Sequence, residues 1–235
     1  MALLLQLTGK PGTGKSTSYK TLDPKTTVII DADEKGLSWV GWRKDYNSAS
    51  KNYFPISNLE TIKSYLMGIS NGAPHVQVVI VDTINTILTN YLHELRRKAG
   101  FDKWKNMADD AYELYTFCNK QLREDLIVVF CAHSEEYKSS DSMTGEECIK
   151  IRTMFPGQAA AKQELAKFLN YNLYTMIDSE VTQSDIEKGE CRYKFRTQSN
   201  GKDEARSVLG VLPYMMSNDL SEVIRLIREK DLCVA

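Results

Sequence analysis

Gly9-Lys10-Pro11-Gly12-Thr13-Gly14-Lys15-Ser16 fits the pattern Gly-x-x-x-x-Gly-Lys-(Ser/Thr) at every position. Residues of these types at this spacing make a cradle for phosphate. The glycines let the backbone curl until successive N–H groups face inward, where they donate to anionic oxygens, and the start of the next helix adds its own donors. Lys15 would reach the β- and γ-phosphates of a nucleoside triphosphate, and the Ser16 hydroxyl would ligate Mg²⁺. Thr17 would add a further phosphate contact.

Such a loop works with an acidic metal partner at the end of a nearby strand. Asp82 stands where the apolar run Val78-Val79-Ile80-Val81 stops, at the carboxyl edge where ligands bind in open sheets. It would hold the water shell of Mg²⁺; the competing reading is a cap for the next helix, a task Thr83 could share. Ile29-Ile30-Asp31-Ala32-Asp33-Glu34 closes another strand in three carboxylates. Asp33 and Glu34 compete as the base that orients and deprotonates the attacking water, and spacing does not choose between them. A solvated acidic turn is the alternative. His133 ends the run Ile127–Ala132. It would sense the γ-phosphate and report its loss to the polar segment behind it, or else stand as a hydrogen-bonded surface histidine.

Alternating strands and helices must position these groups. Ala2–Leu7 reads as a buried strand leading into the loop, and a short helix after the loop must stop near Asp23-Pro24, because proline restricts the residue before it and lacks a donor. Val28–Asp31 is a second strand and Tyr53–Ile56 a short third. Ser57-Asn58-Leu59-Glu60 matches a capping box and opens a helix to about Gly68. Val76–Val81 is β-branched apart from Gln77, as in a strand covered on both faces. Ile84, Ile87, Leu88, Tyr91, Leu92 and Leu95 fall at helical spacing, a second helix covers about 108–123, and Leu126–Ala132 is another buried strand. Beyond it, Ser134–Lys150 is polar with a turn near Asp141–Gly145, Ala159–Phe168 reads as helix, and Asn172–Asp178 and Cys191–Thr197 read as a hairpin joined through Glu187–Glu190. Leu220, Val223, Ile224 and Ile227 mark a last helix. The class is α/β: a mainly parallel sheet flanked by helices, with an antiparallel hairpin at one edge.

The bulk properties agree. A chain of 235 residues suits one compact domain, taken as 1–235, and 42% hydrophobic with 26% charged residues predicts a folded chain. Thirty basic against 31 acidic residues give a net charge of −1, which argues against a wholly basic nucleic-acid coat protein but not against a local basic path. Five scattered cysteines form no C-x-x-C pair, so reduced thiols in a cytosol are expected rather than a zinc site or disulfide framework. Apolar runs are too short for a bilayer, and neither an export signal nor membrane association is expected.

Taken together, these residues resemble the RecA-like ATPases, and within them the small phage nucleotide-binding proteins related to single-strand annealing recombinases. The resemblance is carried by the early phosphate loop, the acidic strand end at Asp31–Glu34, Val81-Asp82-Thr83, the segment Phe130-Cys131-Ala132-His133, and the late Arg-Thr-x-x-x-x-Lys at Arg196–Lys202. It implies a RecA-like core that binds ATP and Mg²⁺ and hydrolyses ATP at the interfaces of a homo-oligomer, acting on single-stranded DNA in recombination, annealing or replication. It also implies a phage protein of the host cytoplasm, with a single-strand-binding protein as a further partner. A basic side chain reaching the neighbouring γ-phosphate would be Lys202 or Arg206, with Arg196 third; a solvated loop of idle charges is the alternative. DNA contact would fall on Arg96, Arg97, Lys98, Lys103, Trp104 and Lys105 and on Ser134–Arg152, although the first part of the latter is acid-rich. Trp39 or Trp42 would stack on the base, if not part of the core. The sequence opens directly on its first strand, so assembly without the N-terminal hook of RecA filaments is expected.

Rival chemistries remain. A P-loop phosphotransferase would need a second substrate pocket and an arginine-rich lid, and no tight arginine cluster stands in the lid position. Asn119-Lys120-Gln121-Leu122 fails the Asn-Lys-x-Asp guanine reader of a GTPase. A nucleotide-gated DNA scaffold with little turnover is the third alternative.

Overall fold

The computed structural model describes residues 1–95, 102–140, 145–157, 165–187 and 192–232. Its strands are β1 (Leu3–Gly9), β2 (Thr27–Asp31), β3 (Tyr53–Phe54), β4 (Val78–Asp82), β5 (Ile127–Ser140), β6 (Glu147–Thr153), β7 (Tyr171–Ile177), β8 (Tyr193–Arg196) and β9 (Met215–Ser217). The sheet runs in the order β3-β2-β4-β5-β1-β7-β8-β9, with β6 paired to β5. The α/β class with antiparallel additions is therefore as expected. The chain divides into two compact units: Met1–Gln6, Leu22–Ala132 and Phe155–Asn170 form the first, and Leu7–Thr21, His133–Met154 and Tyr171–Ala235 the second.

In the first unit β2, β3, β4 and β5 pair in parallel. Every residue of β2 and β4 is buried, which explains why both are β-branched up to their final aspartate. Helices α1 (Trp42–Asp45), α2 (Leu59–Gly72), α3 (Ile84–Leu95) and α4 (Lys103–Gln121) accompany these strands. Leu59, Ile62, Leu66 and Ile69 of α2 join Ile84, Ile87, Leu88 and Leu92 of α3 in the core, as their helical spacing demands. The α2 cap falls one residue later than the capping box predicts: Asn58 accepts from the Thr61 N–H at 3.0 Å. Ser57 instead donates to Glu34 at 3.2 Å, and the helix runs on to Gly72.

In the second unit β7 and β8 pair antiparallel, and β9 continues from β8. The expected hairpin is present; its link at 188–190, like Cys191, lies outside the described residues. The helix Leu220–Lys230 buries Leu220, Val223, Ile224 and Ile227, the four residues that mark it in the sequence. Asp219 caps it by accepting from the Ser221 N–H at 2.9 Å.

Two expectations need correction, and a third falls largely outside the described residues. The polar stretch after His133 is not a loop but an antiparallel ribbon, β5 with β6, in register from Ser134↔Thr153 to Ser140↔Glu147. Cross-strand pairs hold it: Arg152 bonds Glu135 at 2.8 Å and lies 4.7 Å from the Tyr137 ring. Strand β5 beyond His133 is polar on both faces, and only the short alternation Ile149-Lys150-Ile151-Arg152 in β6 marks a strand. The segment after the phosphate loop is only a four-residue 3-10 helix, Ser16–Tyr19. There the Ser18 hydroxyl bonds the Lys15 carbonyl at 2.7 Å, and such local side-chain bonds compete with the helical ladder. Of the helix expected over Ala159–Phe168, only Leu165–Phe168 is described, as 3-10. Among the described residues, no helix is long and apolar enough to cross a membrane.

Candidate functional site

The phosphate loop belongs to the second unit. Strand β1 delivers it at Gly9, and the chain turns through left-handed backbone at Gly12 (φ 77°) and Gly14 (φ 92°), conformations that favour glycine. Pro11 and Gly12 lie at the exposed tip, whereas Thr13 and Lys15 are buried and Ser16 and Thr17 half-buried. Lys15 arches over the loop: its Nζ donates to the carbonyls of Gly9 at 2.8 Å and Lys10 at 2.9 Å. Thr13 Oγ1 donates to the Lys10 carbonyl at 2.7 Å. Lys10 pairs with Glu136 of the ribbon at 2.5 Å, which raises its ammonium above the ordinary range. Gly9 and Gly14 each have a side chain where a β-carbon would stand, Thr175 and Tyr193 respectively. Curled backbone, two left-handed glycines and a buried lysine make a donor set that fits a triphosphate.

The same unit holds His133, Lys202 and Arg206. The His133 carbonyl accepts from the Met154 N–H at 2.8 Å. Lys202 lies on a turn braced by its own polar residues: its N–H donates to Asn200 Oδ1 at 3.0 Å, and Gly201 N–H donates to Ser199 Oγ at 3.0 Å. The Lys202 carbonyl accepts from the Ile151 N–H of β6 at 2.7 Å. Arg206 exchanges two backbone bonds of 2.8 Å with Asn172. A polar ring joins this segment to the strand feeding the loop. In it Thr8 Oγ1 donates to Asn172 Oδ1 at 2.8 Å, and Asn172 Nδ2 to the Glu204 carbonyl at 2.9 Å. Thr153 N–H, in turn, donates to Glu204 Oε2 at 2.9 Å. Lys202 and Arg206 are both exposed, on a loop braced by these backbone and side-chain bonds. Arg196 differs: its guanidinium pairs with the buried Asp203 and lies 5.1 Å from the Tyr174 ring.

The carboxylates belong to the first unit. Asp82 ends β4 in register with Asp31 of β2 and is 3% exposed. Asp31 Oδ1 accepts from the Glu34 N–H at 3.1 Å, and Oδ2 from the Gly36 N–H at 2.8 Å and the Tyr53 hydroxyl at 2.6 Å. Burial pushes the Asp31 carboxyl above its ordinary range, and the charges of Asp82 and Asp33 add to that against the bonds from Tyr53 and Gly36. Asp33 shifts the other way. Burial would raise it, but bonds from Lys35, Thr86 and Thr83 together hold it below the usual carboxylate range. Lys35 is stabilised in its charged form by Asp33, with Asp82 and Asp31 contributing, against its partial burial. Glu34 is exposed, in left-handed backbone (φ 56°). The Asp31–Gly36 segment is therefore a hydrogen-bonded turn with a buried anchor. Thr83 spends its hydroxyl on Asp33 at 3.1 Å.

Of the other expected contacts, Trp42 is core. It is 8% exposed, 4.8 Å from the Tyr53 ring and pressed on Gly36. Trp39 meets Tyr46 edge-on at 6.1 Å. Trp104 is 39% exposed and packs one face on Gly157. Arg96, Arg97 and Lys98 lie outside the described residues. Sequence reasoning passed over Tyr53, Lys35, Thr86, Thr175 and Tyr193. Lys35 had a local signal, beside Asp33, whereas Thr175 stands 162 residues from the Thr13 it touches.

No curated protein matches the chain. A family model described as an AAA domain (AAA_24) matches residues 2–206, a span that takes in the phosphate loop, Asp82, His133 and the Lys202–Arg206 segment. With that match over most of its length and a phosphate loop of this geometry, the chain belongs to the AAA domain family of P-loop ATPases.

Proposed function

We propose that this chain is a RecA-like ATPase that binds MgATP on the Gly9–Thr17 loop and couples its hydrolysis to single-stranded DNA. The observation that carries the nucleotide half is Lys15, buried and arched over the curled loop. In this reading the loop amides and Lys15 hold the phosphates, and Ser16 ligates the magnesium. Asp82 keeps the metal role that its strand-end position suggests. Glu34 is the better base of the two candidates, because Asp33 is acidified and occupied by three side-chain donors, and a carboxylate of lowered pKa is a weak proton acceptor. His133 senses the γ-phosphate at the root of the ribbon. Lys202, or Arg206 beside it, serves the neighbouring subunit of a homo-oligomer, supported by the bracing that holds the segment out to solvent. The DNA half rests on the resemblance to phage annealing-type proteins. It carries with it a role in recombination, annealing or replication in the host cytoplasm and a single-strand-binding protein as partner.

The test is ATP turnover with and without single-stranded DNA, beside light scattering for size. Stimulation by DNA in an assembled species is expected. Equal turnover with phosphate transfer to a nucleoside monophosphate would instead establish a phosphotransferase, and DNA and ATP binding without turnover a scaffold.

A further inference from the structure

In the second unit the phosphate loop rests on the β7–β8 hairpin. A β-carbon on Gly9 would fall 2.0 Å from Thr175 Oγ1 and 2.8 Å from the Thr175 carbonyl oxygen. Thr175 Oγ1 also lies 2.7 Å from Thr13 Oγ1. Thr13 Oγ1 also bonds the Lys10 carbonyl, and Thr175 Oγ1 the Thr8 carbonyl at 3.4 Å, so the two hydroxyls tie the hairpin to the loop and to the strand that feeds it. At the other end of the loop, a β-carbon on Gly14 would fall 2.5 Å from Tyr193 Cγ and 2.8 Å from its Cβ and Cδ2. Thr175 pairs with Phe195 and Ile177 with Tyr193, so Thr175 and Tyr193 project from one face of the hairpin. That face touches the loop at its first glycine and at the glycine directly before Lys15.

We infer that Tyr193 is a positioning residue for nucleotide binding, its ring fixing Gly14 and with it the direction of the Lys15 amide. This rests on the reading of the Gly9–Thr17 loop as the ATP site. A phosphate loop acts through N–H groups whose directions follow its backbone angles, and glycine alone holds those angles loosely. A ring filling the volume of the missing side chain narrows the choice before any phosphate arrives, and preorganisation of this kind strengthens binding. The atoms against Gly14 are ring and β-carbon atoms. The hydroxyl faces Arg192 instead, which donates to it at 3.3 Å and places its guanidinium 5.2 Å from the ring. The flat ring is thus the working part.

The full chain and its Tyr193→Phe, Tyr193→Ala and Lys15→Ala variants are titrated with a fluorescent ATP analogue, assayed for KM and kcat, and melted without nucleotide. Tyr193→Phe is expected within about twofold of the parent. Tyr193→Ala is expected to weaken binding and raise KM about tenfold while kcat falls less than about threefold. If Tyr193→Ala unfolds, Tyr193→Leu, which keeps apolar bulk without the flat ring, is read in the same way. Parental affinity in the Ala or Leu variant, with binding still dependent on Lys15, overturns the inference and leaves the ATP site standing. A parent chain that does not bind the analogue overturns both.

Discussion

The phosphate loop and the acidic turn Asp31–Gly36 are both short, glycine-containing turns at strand ends, and they differ in what their side chains hold. The loop is neutral at its centre and is held by side chains remote in sequence: Thr175, Tyr193 and, through Lys10, Glu136. The acidic turn is anchored by its own first residue, Asp31, whose carboxylate gathers Glu34, Gly36 and Tyr53. Borrowed support sets the shape of the loop from side chains outside it. The turn's carboxylates are engaged: Lys35 within the turn and Thr86 and Thr83 beyond it hold Asp33 acidic, and Glu34 is left as the exposed acid of the turn.

A matched pair of glycine substitutions breaks this comparison most sharply. Gly14 and Gly36 both have left-handed backbone, and both are covered by a ring, Tyr193 in one case and Trp42 in the other. Gly14→Ala should weaken ATP-analogue binding about thirtyfold or more, the equivalent of roughly 2 kcal/mol of left-handed strain and ring displacement. Gly36→Ala should spend a similar penalty on stability, lowering the denaturation midpoint while the variant still binds the analogue. Equal binding losses in the two variants would erase the distinction.

Removing the anchor of the acidic turn comes next. Asp31→Ala leaves the Tyr53 hydroxyl and the Gly36 N–H without their acceptor, while the Glu34 N–H keeps the Asp31 carbonyl at 3.3 Å; the loss should be about 2 kcal/mol in denaturant unfolding, and Asp31→Asn, which keeps one acceptor, should lose less. Smaller is the effect of acid. The Asp33 carboxyl is lower in the folded chain than its ordinary value of 3.8. Its contribution to stability is therefore present above the unfolded value and is lost as pH falls through the folded one. Asp33→Asn should flatten the acid limb of the stability curve below about pH 4, which an unchanged limb would contradict. The smallest effect belongs to Lys10→Met. It breaks an ion pair whose partners are 54% and 47% exposed, and such pairs are well screened; thermal unfolding should not move measurably.

The legible parts of the molecule were those whose signal is local. Val78–Asp82 announces a strand covered on both faces, and Leu220, Val223, Ile224 and Ile227 announce one face of a helix, because burial imprints a period on neighbouring residues. The phosphate loop is legible for the same reason: its glycines and lysine lie within eight positions. The β5–β6 ribbon escaped because Ser134–Ser140 is polar on both faces and the one alternation in its partner, Ile149 and Ile151 between Lys150 and Arg152, is too short to stand out. The 3-10 turn at Ser16–Tyr19 escaped because the Ser18 hydroxyl, not the pattern, decides it. The bonds of Asp31 to Tyr53 and the support from Thr175 and Tyr193 depend on strand pairing between distant segments, which one sequence does not display.

Calorimetric titration of MgATP into the parent chain and into Lys15→Ala reaches the central claim most directly. Heat of binding that saturates at one nucleotide per chain in the parent, and affinity at least about a hundredfold weaker in the variant, is the predicted result. Matching isotherms from the two proteins would contradict it, since the buried lysine would then play no part in holding a triphosphate.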